Sequence, residues 1–255
     1  MKNWSEFAQM LDEATGNASA IAPLAATVSL TVEDAYAIQT ASIARRNARG
    51  DTRAGVKATL TSRAAMRHAG SQEIIFGWLT EAMRVAEDGD LSLSRYLRPQ
   101  VQPSIAYIMG QPLRGSASAA EAYAAIAAIA PALEIVDSRY GTAEYSLRDM
   151  IADNACAASF ILGGFCRSST NIENLGVLLD INGRTVQIGS TAAILGNPVR
   201  ALLATVRVLE RTGASLQPGD IVLISGATPA HPLMPGDYVC ATTEALGRVA
   251  FHVTP

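Results

Sequence analysis

The sequence predicts an α/β (α+β) fold in which a helical N-terminal part leads into a curled, mixed β-roll. Three observations predict it. Apolar residues recur at helical spacing behind capping residues early in the chain, whereas the second half alternates in short apolar runs. An Asn182-Gly183 pair between two such runs marks a hairpin. Two Pro-Gly-Asp turns, at 218–220 and 235–237, each precede an apolar strand and place those strands side by side in one sheet that closes on itself. No repeat or low-complexity linker divides the chain, so residues 1–255 read as a single domain, with 1–95 mainly helical and 96–255 holding the β-roll and a pocket.

In order, Trp4, Phe7, Met10 and Leu11 give an amphipathic helix that stops before Gly16. Thr31 caps a second helix reaching about Arg49, with Glu33 and Asp34 in its first turn and Gly50 at its end. Val56, Ala58 and Leu60 alternate as a short strand that turns Lys57 to its other face, beside the hydroxyls of Thr61 and Ser62. Lys57 is then a fixed cation or a solvated strand-edge lysine. Residues 62–70 form a short helix, and Phe76, Trp78 and Leu79 supply bulk to a core or pocket wall. Residues 99–110 read as a half-buried strand that Pro103 confines to an edge or a bulge. The alanine-rich stretch 116–129 reads as helix, 131–137 as strand and 149–164 as helix passing into strand. The hairpin occupies 176–189, a helix 198–212, and strands 221–225, 238–242 and 249–253 complete the chain.

The bulk numbers exclude several classes. With 255 residues and 49% apolar content the chain can bury a sizeable core, and a net charge of −3 gives no field for nucleic acid or an anionic membrane. Cys156, Cys166 and Cys240 lack metal or disulfide spacing, which points to a reduced, cytoplasmic protein. Met1–Glu6 has no leader pattern. Dinucleotide, P-loop and nucleophile-elbow motifs are absent from the sequence. The three histidines are scattered, and the small-residue loops at Ser225–Pro229 and 188–198 suit either an anion or close packing. One residue stands out: Glu134 sits inside the apolar run Pro131–Arg139, where an ionised acid is costly unless it reaches water or meets a cation or strong donors.

Several strings, taken together, resemble one family. They are 30–39 (Leu-Thr-Val-Glu-Asp-Ala-Tyr-Ala-Ile-Gln), 55–62 (Gly-Val-Lys-Ala-Thr-Leu-Thr-Ser), 133–139 (Leu-Glu-Ile-Val-Asp-Ser-Arg), 151–155, 192–198, 216–223 and 235–237. Their order and spacing are similar to the 2-oxopent-4-enoate hydratase and 4-oxalocrotonate decarboxylase group of the fumarylacetoacetate hydrolase superfamily. The resemblance runs from about residue 5 to the C-terminus and implies that superfamily's curled β-roll.

The resemblance also implies a site. Such proteins bind Mg²⁺ or Mn²⁺ through a Glu-x-Glu pair on one strand and a third Glu on the next. Glu134 matches the third, while Gln102 and Ser104 stand in place of the pair, lowering the ligand charge from about −3 to about −1. Ile75 replaces an acid before Phe76-Gly77, Lys57 keeps the position of an active-site lysine, and Ser190 and Thr228 match small hydroxyl positions, although Thr191 stands where glycine is common. The implied assignment is Lys57 and Glu134 as catalytic residues, Gln102, Ser104, Ser190, Thr228, Ile75 and Phe76 as substrate contacts, and no metal or other cofactor. The first reading is a metal-independent lyase or isomerase on a conjugated oxo or hydroxy acid or a polyketide-like molecule, with Lys57 stabilising an oxyanion. A second is a metal-dependent (Mg²⁺ or Mn²⁺) hydratase or decarboxylase of aromatic catabolism; a third is a non-catalytic partner of an active paralogue. The expected partners are a small acid and further copies of the chain in a homo-oligomer, with neither nucleic acid nor membrane.

Overall fold

The computed structural model describes residues 4–255, so the reading of Met1–Asn3 as lacking a leader lies outside the described residues. The helices are α1 (Trp4–Gly16), α2 (Val32–Ala48), α3 (Arg63–His68), α4 (Ala119–Ala125), α5 (Leu147–Ala152) and α6 (Pro198–Arg211). The first seven strands are β1 (Arg53–Thr59), β2 (Ile75–Thr80), β3 (Arg84–Val85), β4 (Asp90–Ser92), β5 (Gln100–Met109), β6 (Ile126–Val136) and β7 (Ala157–Leu162). The rest are β8 (Cys166–Arg167), β9 (Gly176–Ile181), β10 (Arg184–Ser190), β11 (Ile221–Ser225), β12 (His231–Pro232), β13 (Tyr238–Thr243) and β14 (Gly247–Thr254).

The helix ends follow local chemistry. At α2, Thr31 accepts a hydrogen bond from the Asp34 amide while Asp34 accepts one from the Thr31 amide, which satisfies two otherwise orphaned donors. The Asn182-Gly183 turn joins β9 to β10 with both φ values positive, as a tight hairpin of this twist requires.

Nine strands form the large sheet in the order β2-β1-β11-β5-β6-β7-β3, with β12 beside β5 and β8 beside β6. It is mixed: β1 runs parallel to β11, and β11, β5, β6 and β7 alternate antiparallel. The second sheet, β10-β9-β13-β14-β4, packs on one end of it. Strand alternation divides the large sheet into two faces. Val56, Val222, Ile224, Ile105 and Tyr107 join the core under α2 and α6. Leu133, Ile135 and Val101 pack on Val239, Val249 and Phe251 of the second sheet. The other face carries a third core in which alanines, among them Ala106, Ala130 and Ala132, are mixed with larger residues such as Leu223 and Phe160.

Three expectations need correction. The strands that follow the two Pro-Gly-Asp turns are not neighbours, since β11 belongs to the large sheet and β13 to the second. Pro103 is neither at an edge nor at a bulge; it lies within β5, paired with Leu133 of β6. On its other side β11 ends at the Ser225–Ser104 pair and β12 begins at the His231–Val101 pair, so Pro103 stands opposite the gap between them. The missing N–H thus falls where the ladder is interrupted. The last concerns 126–129, which is strand and not helix: α4 ends at Ala125, and Ile126, Ala128 and Ile129 pair with Met109, Ile108 and Tyr107. Pairing on the central strand overrides alanine's helical preference there. Pro131 repeats the arrangement of Pro103, standing between the β8 partners Ala128 and Ile129 and the β7 partner Ala132.

Gly55 in β1 packs against the Ile221 backbone at φ +152°, where any Cβ would collide with main-chain atoms. Gly55→Ala is expected to destabilise the fold by about 3 kcal/mol and lower Tm by about 10 °C; a thermal melt by circular dichroism checks it, and an unchanged melt would contradict this packing.

Candidate active site

Lys57 on β1 and Glu134 on β6 form an ion pair, and both side chains are 1% exposed. Between their strands lie β11 and β5, a separation of roughly 14 Å if the sheet were flat. The pair therefore depends on the curl of the sheet and on the small residues Ser225, Ser104, Ala106 and Ala132 that leave the intervening face open. Register does the rest. Ser225 is opposite Ser104, and Gln102 is opposite Glu134, so one face of three adjacent strands gathers four polar side chains.

Within this group the Ser225 hydroxyl donates to Glu134 Oε2, while Lys57 approaches Oε1. Ser104 Oγ lies 2.9 Å from Ser225 Oγ. Gln102 Nε2 donates to the Thr228 carbonyl at 2.6 Å, which turns its amide oxygen the other way. Among the described residues the Lys57 ammonium meets no acceptor besides Glu134, although an ammonium carries three donors.

Next to Lys57 the chain is strained. Gly77, its register partner in β2, packs on the carbonyl of Asn154, and Asn154, Ala155 and Cys156 have φ values of 53°, 52° and 57°. Three successive non-glycine residues in the left-handed region cost of order 1–3 kcal/mol each and persist only when held from outside. Here Asn154 holds both the amide and the carbonyl of Trp78 at 2.7 and 2.9 Å, and the Cys156 carbonyl accepts from the Asp137 amide. Burial, then Asp153, pushes the Cys156 thiol up to about 11, while Arg139 and Lys57 pull it down. Cys156 also borders a cleft of about 210 Å³ shared with Gln100, Asp137 and Tyr145.

The structure brings Lys57, Glu134, Gln102, Ser104 and Thr228 together. Ser190 ends β10 beside Gly189, which packs on the Ala227 carbonyl, but its hydroxyl is spent on Asn174 and on capping Ala192. Ile75 is buried at the end of β2 opposite Thr59. Phe76 does not belong to the site: it pairs with Ala58 and stacks on Tyr36 of α2 at 4.8 Å, on the helix-covered face. Sequence reasoning missed Ser225 and Asn154. The small-residue loop at 225–229 and the alanines around Asn154 were the available signals.

The family model for the fumarylacetoacetate (FAA) hydrolase C-terminal region matches residues 52–254. The chain belongs to the FAA hydrolase family. Within it, the chain is 41% identical to a 4-oxalocrotonate decarboxylase of Pseudomonas sp over 250 residues, covering 98% of each chain. It is 32% identical to the TodF product hydratase of Pseudomonas putida F1, covering 95% of this chain and 92% of that one. Among solved structures, 4-oxalocrotonate decarboxylase from Pseudomonas putida G7 in complex with magnesium and adipate superposes with a TM-score of 0.96, at 29% identity over 99% of this chain and 97% of that one. The expected fold and the expectation of a lyase-type enzyme are borne out by these relatives.

The expectation that no cofactor is used is corrected. The Pseudomonas putida G7 decarboxylase carries magnesium in one structure and calcium in another, so the relatives point to metal use and away from the metal-independent reading. The donors of this chain do not reproduce a three-carboxylate cradle. Both oxygens of Glu134 are engaged, and the described residues contain no group of three His, Cys, Asp or Glu side chains able to hold an ion. As arranged, Gln102, Ser104 and Glu134 do not fit a divalent cation.

Two expectations follow. Removing one member of a buried ion pair leaves an uncompensated charge, so Lys57→Met and Glu134→Leu should each lose about 3–5 kcal/mol of stability, while the double variant returns to within about 1 kcal/mol of wild type; urea unfolding of the four proteins measures this. Cys156 at pH 8 should be alkylated by iodoacetamide at least about 100-fold more slowly in the native protein than in urea, since burial suppresses the thiolate; peptide mass spectrometry resolves it from Cys166 and Cys240.

Proposed function

We propose that this chain is a lyase acting on a small conjugated 2-oxo dicarboxylic acid, and that its reaction is decarboxylation in preference to hydration. The observation that carries the reading is the Lys57 ammonium, buried on an alanine-lined face with donors left over after Glu134. The 41% identity to a decarboxylase along the full chain supports the choice between the two lyase reactions.

Decarboxylation of such an acid breaks the bond between the chain and the departing carboxylate. The electron pair passes through the conjugated C=C into the 2-oxo group, CO₂ leaves, and the oxygen becomes an enolate until carbon is protonated. Stabilising that oxygen is the costly part. A buried ammonium with free N–H groups suits it, because a charge-assisted hydrogen bond in a water-poor site is worth far more than in bulk solvent. Glu134 fixes the ammonium, and Ser225 fixes Glu134 by occupying its second oxygen. Both charged residues are 1% exposed, which keeps the site shielded from bulk water in this conformation.

The test is release of CO₂ from 2-oxohex-3-enedioate, followed by loss of the conjugated chromophore, with and without added Mg²⁺. Turnover of the wild type is expected, with kcat at least about 100-fold lower in Lys57→Ala and about 10-fold lower in Ser225→Ala. Turnover of a 2-hydroxydienoate to its hydrated product with no CO₂ release from the diacid would replace the decarboxylase reading with the hydratase one. Inertness toward both acids would remove the proposal.

A further inference from the structure

The turn that follows Lys57 gives a separate task to each of three successive residues. Leu60 is left-handed at φ +60°, which carries the chain out of the sheet just after β1 ends at Thr59. Ser62 accepts from the Ala65 amide and caps α3. Between them Thr61 is 2% exposed, and its hydroxyl is directed at β11.

Parallel pairing of β1 with β11 ends at Ala58 and Ile224. One residue further along β11, the Thr61 hydroxyl donates to the Ser225 carbonyl, so a side chain continues the tie where the ladder stops. Ser225 is the residue whose own hydroxyl donates to Glu134 Oε2 and lies 2.9 Å from Ser104 Oγ. Beyond it the chain turns easily, because Gly226 sits at φ +109°, a conformation that glycine adopts without strain. A Cβ at Gly226 would collide with the Thr61 hydroxyl, so the oxygen that holds the Ser225 carbonyl also fills the space beside Gly226. Thr61 is held in its turn by the Leu195 amide, which donates to its carbonyl at 3.0 Å.

We infer that Thr61 is a positioning residue for this site. By holding the Ser225 carbonyl against rotation at Gly226, it keeps the Ser225 hydroxyl on Glu134, and through Glu134 it sets the direction of the Lys57 ammonium. Ser104 Oγ is a competing partner within reach, so a Ser225 released from Thr61 exchanges Glu134 for Ser104. Thr61 itself touches no reacting atom. The inference rests on the reading of Lys57 as the group that stabilises the enolate oxygen.

Crystal structures and steady-state kinetics of the full chain test it. In Thr61→Val the Ser225 hydroxyl is expected to leave Glu134, and kcat on 2-oxohex-3-enedioate to fall about 5-fold or more while KM stays within about 2-fold. Thr61→Ser keeps the donor and should stay within about 2-fold of wild type in both constants. In the Ser225→Ala background, Thr61→Val should lower kcat by less than about 2-fold further, because the hydroxyl it positions is already gone. An equal loss in both backgrounds would mean a general role in the fold and overturn the inference. So would an unchanged kcat, or a Ser225 hydroxyl that stays on Glu134 in Thr61→Val. If Thr61→Val fails to fold, Thr61→Ala removes the same donor without added bulk and takes its place. A wild type inert toward the diacid would remove the decarboxylase reading alone, and the position of the Ser225 hydroxyl in the variant would then decide for or against Thr61.

Discussion

The structure turns on one buried ion pair. An ammonium and a carboxylate have been carried into an alanine-lined interior, and neither could remain ionised there without the other. That requirement reaches outward through the fold. The strands bearing Lys57 and Glu134 are not neighbours, so the sheet between them must curl, and the small residues Ser225, Ser104, Ala106 and Ala132 keep the path between the two side chains clear beside Leu223. Of these, Ser225 and Ser104 add hydroxyls that use the carboxylate's second oxygen. The alanine content of the third core is in this sense a consequence of the chemistry housed there.

Much of this was legible from local signals, and what escaped was non-local. The capping box at Thr31 and the Asn182-Gly183 turn are decided within four residues, and both stand as read. Ile126–Ile129 was misread because alanine's preference is local while the pairing with Tyr107–Met109 is not. Pro103 misled for the same reason: nothing near it in sequence announces that β11 stops at Ser225 and β12 starts at His231. At the site, Lys57 and Glu134 were accessible through motif resemblance. Phe76 was assigned to the wrong face because the aromatic run was not recognised as strand, whose alternation separates it from Ile75 and Gly77. Ser225 gained its role only through register, which no spacing in the sequence encodes.

A decarboxylase of the same fold carries magnesium and adipate, whereas here Gln102 and Ser104 occupy the two β5 positions where the family resemblance implies acids. Their neutral side chains change the balance on Glu134: with no neighbouring carboxylates to repel, its charge is matched by one ammonium, and the group is close to neutral overall. A dication brought to the same oxygens would face Lys57 at short range, a repulsion that three carboxylates would offset and one does not.

A second buried ion pair on the same stretch of chain shows why Lys57 is the group to associate with chemistry. Arg139, five residues beyond Glu134, lies against Asp153 with its Nε on Oδ1 at 2.5 Å, its Nη2 on the Asp153 carbonyl at 2.6 Å and its Nη1 on the Ala157 carbonyl at 3.1 Å. Burial opposes its charge most, but Asp153 together with Cys156 and Asp137 outweighs that and raises its pKa. Every nitrogen of this guanidinium has an acceptor, and it anchors the strained turn at 154–156. Lys57 is equally buried but has a single acceptor. The two pairs carry the same kind of charge at a similar depth, but every nitrogen of Arg139 has a neutral or charged acceptor of its own, whereas the Lys57 ammonium has one carboxylate oxygen alone, and that separates a structural cation from a reactive one.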